Sequence, residues 1–389
     1  AYSLCPLHLC SWETSCLTRW SRWWIRGFGS NKNMIRLNPL TLKKIRRFRS
    51  IKRGYWSFVA LIVLYLISLF GELFVNKRAV LVSYEGELFF PTYGKQLAGK
   101  QFGLDYDYEV DYRELEKRFA KEKNGNWLVM PIIPYGPYEM DYADEKSTGF
   151  SPPSLASGHL CGTDKTERDV LARLLYGFRI AMTFAIGYLI LTYLIAIAAG
   201  SVMGFFGGRT DMLGLRLVEI WANVPFLYMV IILVSVMPGW WGVGWQVCSL
   251  LLIMVLFSWT GLTYYVRAAV YKEKSRDYIA AAQVIGAGPL RIIFKHLLPN
   301  VISTLVTFAP FTIAAAISSI TALDFLGYGL PPPTPSWGEL LKQGISNLRI
   351  APWIVISSVT ALVLTLTLVT FVGEAVREAF DPKKFSTYE

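Results

Sequence analysis

The sequence lacks the residue patterns that most enzymes need for chemistry. No segment has the Gly-x4-Gly-Lys-Ser/Thr spacing of a phosphate-binding loop, so the chain is not expected to hydrolyse ATP itself. Its three histidines, His8, His159 and His296, lie far apart, and they form no recognisable triad or metal site. The five cysteines are equally scattered, which argues against a disulfide framework or a cysteine-bound metal. We therefore expect a protein that is not an enzyme and holds no cofactor or metal of its own.

Charged residues are also scarce. They make up 17% of the 389 residues, whereas 53% are hydrophobic, and several apolar runs reach the roughly 20 residues of a membrane-crossing helix. Many of the basic residues behind the net charge of +11 precede the first run, with no acidic residue between them. They are Arg36, Lys43, Lys44, Arg46, Arg47, Arg49, Lys52 and Arg53. This asymmetry predicts a cytoplasmic N-terminus, and we expect no nucleic-acid partner.

The hydrophobic pattern predicts an all-α polytopic membrane protein with six spans and both termini in the cytoplasm. The predicted spans are residues 55–75, 178–206, 217–237, 247–266, 299–322 and 353–371. A basic amphipathic elbow helix at 34–54 precedes them, and a short tail at 383–389 follows them. Residues 1–33 are rich in Trp, Cys and Arg, and we expect a non-native or disordered extension there, with Met34 as the natural start.

Residues 277–298, between the fourth and fifth spans, have the pattern of two short amphipathic helices. We call this segment the hairpin. Asp277 is placed to cap the first helix, Gly286 suits a left-handed helix end, and Pro289 suits the first turn of the second helix. Apolar residues recur at helical spacing on each helix. They are Tyr278, Ala281, Ala282 and Ile285, then Leu290, Ile293, Phe294 and Leu297.

The hairpin resembles the signature loop of the permease subunits of bacterial ABC importers. That loop has Glu-Ala-Ala, a Gly four residues later, and Ile-x-Leu-Pro beginning ten residues beyond the Gly. The matching residues here are Ala281, Ala282, Gly286, Leu298 and Pro299. Ala280 replaces the usual Glu, so we expect a weaker cap or one fewer polar contact to the partner. His296 stands where the family often has Ile. The resemblance implies that Asp277, the three alanines, Gly286, Leu298 and Pro299 couple the chain to an ATPase.

Two further segments resemble the dipeptide, oligopeptide and nickel branch of that family. The first is a His-x-x-Gly-Thr-Asp pattern that continues to an Arg-Asp pair and contains Gly162, Thr163, Asp164, Arg168 and Asp169. Either Asp164 or Asp169 is placed to cap the helix of the second span. The second segment is a proline-rich loop that includes Gly327, Gly329 and Trp337. The resemblance implies that both segments lie on the outer side.

Residues 76–170 are predicted to be an extracytoplasmic insert with some β structure. Acidic and aromatic residues alternate along 105–112, which predicts a strand. Its acidic face is either a solvated edge or a surface for a cationic peptide or a binding protein. The insert also resembles that of the microcin C importer subgroup.

Glu219 and Asp324 are acidic residues near the ends of predicted spans, and they are candidates for facing the substrate. A structural role is the alternative for Glu219.

Taken together, the resemblance implies a type I importer permease of an ATP-driven importer of peptides or peptide-like compounds. It implies three partners: a second permease subunit, a cytoplasmic ATPase that uses ATP and Mg²⁺, and an external substrate-binding protein. Permeation of nickel or another small solute is an alternative. An ion-coupled secondary transporter is a second alternative, but such a protein would need inverted repeats, and none is recognisable.

Overall fold

The computed structural model describes residues 39–122, 124–141 and 149–381. The extension predicted at 1–33 and the tail at 383–389 lie outside the described residues. The chain divides into two units, residues 1–46 and 47–389. Within the first unit, the described residues form the start of helix α1, Pro39–Ser50. All contacts discussed below lie within the second unit.

The second unit is mainly helical. Its longer helices are α2 (Lys52–Leu69), α4 (Tyr112–Glu122), α5 (Val170–Phe206), α6 (Gly208–Ala222), α7 (Phe226–Ser235), α8 (Val243–Lys274), α9 (Asp277–Val284), α11 (Leu298–Leu305), α12 (Ala309–Leu326), α13 (Trp337–Ser346) and α14 (Pro352–Phe380). Short helices are α3 (Gly71–Phe74), a 3₁₀ turn (Gly99–Phe102) and α10 (Pro289–Arg291), and a π-helical turn covers Ile292–Leu297. The strands are β1 (Leu81–Tyr84), β2 (Glu87–Phe89) and β3 (Trp127–Val129).

Within the described residues, five helices are long and apolar enough to cross a membrane: α2, α5, α8, α12 and α14. The count becomes six if α6 and α7, which meet at a bend of 71°, form one span. Pro225 explains that break, because proline has no N–H to donate and restricts the residue before it. The span predicted at 217–237 thus consists of the end of α6 and the whole of α7. The span predicted at 299–322 is likewise two helices, α11 and α12, and Pro310 lies in the first turn of the second.

Helix α5 joins the two ends of the second unit. It has 37 residues, which corresponds to about 55 Å and exceeds the roughly 30 Å of a bilayer core. It begins at the insert and ends beside the hairpin, where Lys274 donates to the carbonyl oxygen of Phe205 at 2.6 Å. We refer to these as the insert end and the hairpin end. The structure starts this helix at Val170, before the predicted residue 178, and its first two turns pack against Ile133 and Tyr135 of the insert.

Helices α5 and α8 pack closely because two glycines leave room for the neighbouring helix. A Cβ atom at Gly200 would lie 2.7 Å from Val266 Cβ, and one at Gly204 would lie 2.9 Å from the carbonyl oxygen of Arg267. Real Cβ atoms do not approach that closely, so a larger residue at either position would force the helices apart. This is the small-residue packing that membrane helices use.

The insert is a three-stranded antiparallel sheet, in the order β2-β1-β3, packed against α4. Its core comprises Ala79, Val82, Phe102, Val110, Tyr112, Leu115 and Phe119. The small β content of the insert is confirmed, but the strand predicted at 105–112 is wrong. Within that segment Glu109 forms a single bridge with Ala98, and α4 begins at Tyr112. The Asp111 side chain accepts the Arg113 N–H at 2.9 Å, a local bond that favours a helix start over a continuing strand.

Candidate functional site

The hairpin has the turn geometry that the sequence predicts. Gly286 has φ +86°, and the N–H of Ala287 donates to the carbonyl oxygen of Ala282 at 3.0 Å. This is a left-handed helix end, which glycine adopts without strain. The prediction that Asp277 caps the first helix is wrong, because Arg276 is the N-cap residue and has no side-chain capping bond. Asp277 lies in the first turn instead, where its negative charge interacts favourably with the helix dipole.

One side of the hairpin is buried against the spanning helices. Ile279 on α9 and Leu297 at the end of the π-helical turn have no exposed surface. They belong to a cluster made of Phe205, Val266, Val270, Ile279, Ile292, Ile293, Leu297, Leu298, Val301 and Leu305. Burying one such side chain contributes about 1.5–3 kcal/mol, so this cluster holds the hairpin firmly on α8 and α11. Leu298 of the family pattern is therefore a core residue, whereas Pro299 is exposed in the first turn of α11.

The opposite side of the hairpin is apolar and exposed. Val284 is 87% exposed, Ile285 85%, Leu290 70% and Phe294 66%. With exposed Ala280 and Ala281 they form what we call the docking face. Several large apolar side chains this exposed on one short segment are typical of a binding surface.

Neither of the two predicted apolar stripes lies wholly on one side of the hairpin. Ala282 is half-buried and Ile285 exposed, and in the second stripe Ile293 and Leu297 are buried while Leu290 and Phe294 are exposed. The π-helical turn holds more residues per turn than an α-helix, so an α-helical spacing does not keep its members on one side.

The exposed charges of the hairpin are mainly basic. No acidic residue occurs between Tyr278 and Leu323, whereas Arg291 and Lys295 are exposed beside the docking face. Neither of these two bases forms an ion pair with any residue that the structure describes. They are therefore available to a partner.

At the insert end, the Gly-Thr-Asp segment forms a tight turn that precedes α5. Of the two aspartates predicted as caps, Asp169 caps the helix: its Oδ1 accepts the Ala172 N–H at 2.6 Å. Asp164 stabilises the turn instead, since it accepts the backbone N–H groups of Thr166 at 2.8 Å and Arg168 at 3.1 Å. The same carboxylate pairs with the Arg168 guanidinium at 2.8 Å.

The glycine and threonine before this turn touch α14. Gly162 has φ +69°, and a Cβ atom there would lie 2.6 Å from Trp353 Nε1. That indole nitrogen donates to the carbonyl oxygen of Thr163 at 3.2 Å. Glycine is therefore required at 162 by both its backbone angle and its neighbour.

The turn and the proline-rich loop meet, although more than 160 residues separate them. Arg173 is fully buried and pairs with Glu339 of α13, and Arg168 lies 3.4 Å from the same carboxylate. Trp337 donates its indole N–H to the carbonyl oxygen of Leu174 at 3.0 Å. Sequence reasoning missed the roles of Arg173 and Glu339, because nothing local to either residue indicates the pairing.

The structure gives Asp324 a role other than the predicted one of facing the substrate. It is 9% exposed, and its carboxylate accepts the Leu330 N–H at 2.6 Å and the Ser336 hydroxyl. These bonds close the proline-rich loop after Gly327, which ends α12 with φ +89°. A Cβ atom at Gly329 would collide with this carboxylate. Asp324 thus holds the loop together and does not face open space.

Glu219, the other candidate for facing the substrate, is a surface residue. It pairs with Arg216 at 2.8 Å, and its side chain is 45% exposed. Among the described residues, no hydrogen bond or ion pair brings Glu219 and Asp324 together. The structure therefore does not assemble the two predicted acids into one site.

Comparison with known proteins identifies the family. Residues 196–386 match the family described as binding-protein-dependent transport system inner membrane component. The inner membrane ABC transporter permease protein YejE of Escherichia coli K12 is 40% identical over 352 residues, which cover 90% of this chain and 99% of that protein. The chain belongs to this family.

Other relatives of the permease carry related names. The peptidoglycan transport system permease protein YejE of Agrobacterium fabrum is 38% identical over 89% of this chain and 94% of that protein. The oligopeptide transport system permease protein OppC of Haemophilus influenzae is 33% identical over 59% of this chain and 72% of that protein. Among solved structures, an inward-facing MetNI methionine ABC transporter has a TM-score of 0.44 and 17% identity, covering 54% of this chain and 97% of that chain.

These findings confirm the predicted resemblance and fold class. The chain is an inner-membrane permease subunit of the ABC importer type, with five to six spans among its described helices. Members of this family work with an ATPase and a substrate-binding protein, and the permease subunit is not the ATPase.

Proposed function

We propose that this permease forms the translocation pathway for peptides or peptide-like compounds together with a second permease subunit. In this proposal the hairpin lies in the cytoplasm and docks its exposed face into a groove on the ATPase. The insert then lies outside, and both termini lie inside. The observation that carries the proposal is the docking face, where Val284, Ile285, Leu290 and Phe294 are all at least 66% exposed.

Leaving these side chains exposed to water costs free energy, which supports a permanent partner that covers them. Covering a Val, Leu, Ile or Phe side chain contributes about 1.5–3 kcal/mol, and the hairpin leaves four of them uncovered. The surface around an apolar hot spot is usually polar, and here Arg291 and Lys295 supply that rim. A groove with an apolar floor and acidic residues at its edge would complement both features.

The buried side of the hairpin suits it for transmitting force. Ile279 and Leu297 anchor it in the cluster that also contains Val266 of α8 and Val301 of α11. A push on the docking face therefore reaches two spanning helices through packed side chains instead of through a flexible loop. Closure of the ATPase would in this way rock the spans between inward- and outward-open states.

Peptides are the substrate class that the relatives' names support, since two of these relatives are named as permeases of oligopeptide and peptidoglycan transport systems. Peptidoglycan-derived and microcin C-like peptides fall within this class. The acidic residues of the insert do not add a preference for cationic cargo, because several are already paired. Glu109 pairs with Arg78 at 2.5 Å, and Asp107 pairs with Lys100 at 2.6 Å.

The test is reconstitution with the second permease subunit, the ATPase and the binding protein. Replacing Ile285 and Leu290 by Asp is expected to abolish copurification of the ATPase and peptide-stimulated ATP hydrolysis. Leu155→Asp is the matched control, because Leu155 is 88% exposed but lies near the insert end. The proposal is wrong if the double variant retains full ATPase binding and stimulation, or if Leu155→Asp is equally damaging.

A further inference from the structure

A column of stacked side chains connects the insert to the first turn of α5. The Arg113 guanidinium lies 4.6 Å from the centre of the Tyr135 ring, and that ring stacks on His159 at 4.0 Å. His159 Nδ1 then lies 2.8 Å from Oδ2 of Asp169, the residue that caps α5. The Tyr135 hydroxyl donates to the carbonyl oxygen of Ser157 at 2.5 Å, which fixes the ring in the column.

Both ring nitrogens of His159 face carboxylates. Besides Asp169 at Nδ1, Asp141 of the insert lies 3.3 Å from Nε2, and the histidine side chain is 5% exposed. A neutral imidazole has one N–H donor, so one of the two carboxylates would face a lone pair. A doubly protonated ring donates to both, and the positive charge offsets one of the two negative charges. The geometry therefore favours an imidazolium.

We propose that His159 is a positioning residue, which as an imidazolium ties the insert to the N-terminus of α5 so that the two move together during transport. We call this contact the latch. Asp169 is the N-cap residue of the spanning helix α5, whereas Asp141 and Tyr135 lie farther back in the insert, so the histidine joins the insert to the helix. The effect of the latch on transport rests on the function proposed above. The latch itself can be measured without transport.

The titration of His159 agrees with this geometry. Burial is the largest influence and disfavours the charged ring, but the hydrogen bonds to Asp141 and Asp169 outweigh it and raise the pKa to about 9. The hydrogen bond from His159 in turn lowers the pKa of the Asp141 carboxyl. Titratable or charged side chains near His159 among the described residues are Asp141, Asp169, Tyr135, Arg113 and Cys161.

The sign of the pH dependence follows from the raised pKa. An exposed histidine in an unfolded chain titrates near 6.5, so the latch contributes its full stabilisation below about pH 6.5. That stabilisation declines as the pH rises and is lost once the pH passes through the folded pKa of about 9. The insert stays attached by backbone contacts, since Val75 pairs with Ile133 and Val75 also accepts the Tyr176 hydroxyl at 3.2 Å. Loss of the latch should thus loosen the insert without unfolding the protein.

The experiment compares wild type with His159→Gln and Asp141→Asn in the assembled transporter. Hydrogen exchange is measured from pH 6 to 10 for peptides covering 127–141 and the first turn of α5, as protection factors corrected for intrinsic exchange at each pH. Wild-type protection is expected to fall at least tenfold between about pH 6.5 and about pH 9, a change of about 1.4 kcal/mol, and to level off above that range. Both variants should already show the low protection at pH 7, without a decline between about pH 6.5 and about pH 9.

Asp107→Asn is the matched control, because Asp107 is an insert carboxylate whose side chain is 74% exposed. It should keep the wild-type exchange profile. Peptide-stimulated ATP hydrolysis should decline over the same pH range in wild type, and this pH dependence should be lost in His159→Gln. The latch is wrong if His159→Gln keeps wild-type protection and pH dependence. If the wild-type assembly shows no peptide-stimulated hydrolysis, the transport proposal fails while the exchange data still decide the latch.

Discussion

The Tyr278 hydroxyl accepts a hydrogen bond from the side-chain amide of Asn300 at 2.9 Å. The same oxygen lies 2.9 Å from Glu273 Oε2, to which it donates its proton. Glu273 is in α8, Tyr278 in α9 and Asn300 in α11. One phenol group therefore ties the first helix of the hairpin to the helix before it and to the helix after it, in addition to the apolar cluster beneath.

Replacing Tyr278 by Phe should weaken coupling while leaving the hairpin in place. The ring keeps its volume, but two hydrogen bonds are lost, each worth about 0.5–1.5 kcal/mol. We expect the ATPase to copurify normally and peptide-stimulated hydrolysis to fall severalfold. Tyr228→Phe serves as control, since Tyr228 is 69% exposed on α7. Unchanged stimulation in Tyr278→Phe would show that the apolar cluster alone carries the force.

Gly286 and Gly288 offer a matched pair of substitutions. A Cβ atom meets nothing within 4 Å at either position, but Gly286 has φ +86° and Gly288 has φ −69°. Gly286→Ala should therefore cost about 1–2 kcal/mol in backbone strain, while Gly288→Ala should be tolerated. The measurements are thermal unfolding of the purified chain and ATPase binding. Equal effects of the two alanines would contradict the left-handed turn.

Glu339→Gln should destabilise the insert end. The fully buried Arg173 guanidinium would lose a charged partner, and breaking a buried ion pair in this way typically costs about 3–5 kcal/mol. Arg168 would lose the same carboxylate, so we expect a clearly lower unfolding temperature in detergent. Glu114→Gln, at an exposed position on α4, should leave that temperature unchanged. Asp164 Oδ2 also lies 3.6 Å from Arg173 Nε, so a Glu339→Gln protein as stable as wild type would mean that Asp164 alone balances Arg173.

Local features of the chain were predictable from the sequence. The left-handed Gly286 and a helix cap at Asp164 or Asp169 depend on residues within one turn, and the structure chooses Asp169 of the two. The cap expected from Asp277 was wrong, because Arg276 takes that position in the turn that follows α8.

Features that depend on distant residues were not predictable. The pairing of Arg173 with Glu339 joins residues 166 apart, and neither position has a local pattern that indicates it. The alternation at 105–112 suggested a strand, but α4 begins at Tyr112, and Val110 and Tyr112 pack in a core with the distant residues Ala79 and Val82. Which side chains of the hairpin are exposed depends on the π-helical turn, which the spacing of apolar residues did not reveal.

The continuity of α5 has a mechanical consequence. An unbroken helix of 37 residues is a stiff rod about 55 Å long, and no proline interrupts it. A tilt of about 5° around one end would displace the other end by roughly 5 Å, the rise of one helical turn. A small change of angle at either membrane surface is thus amplified into a side-chain-sized movement at the opposite surface, as in a lever.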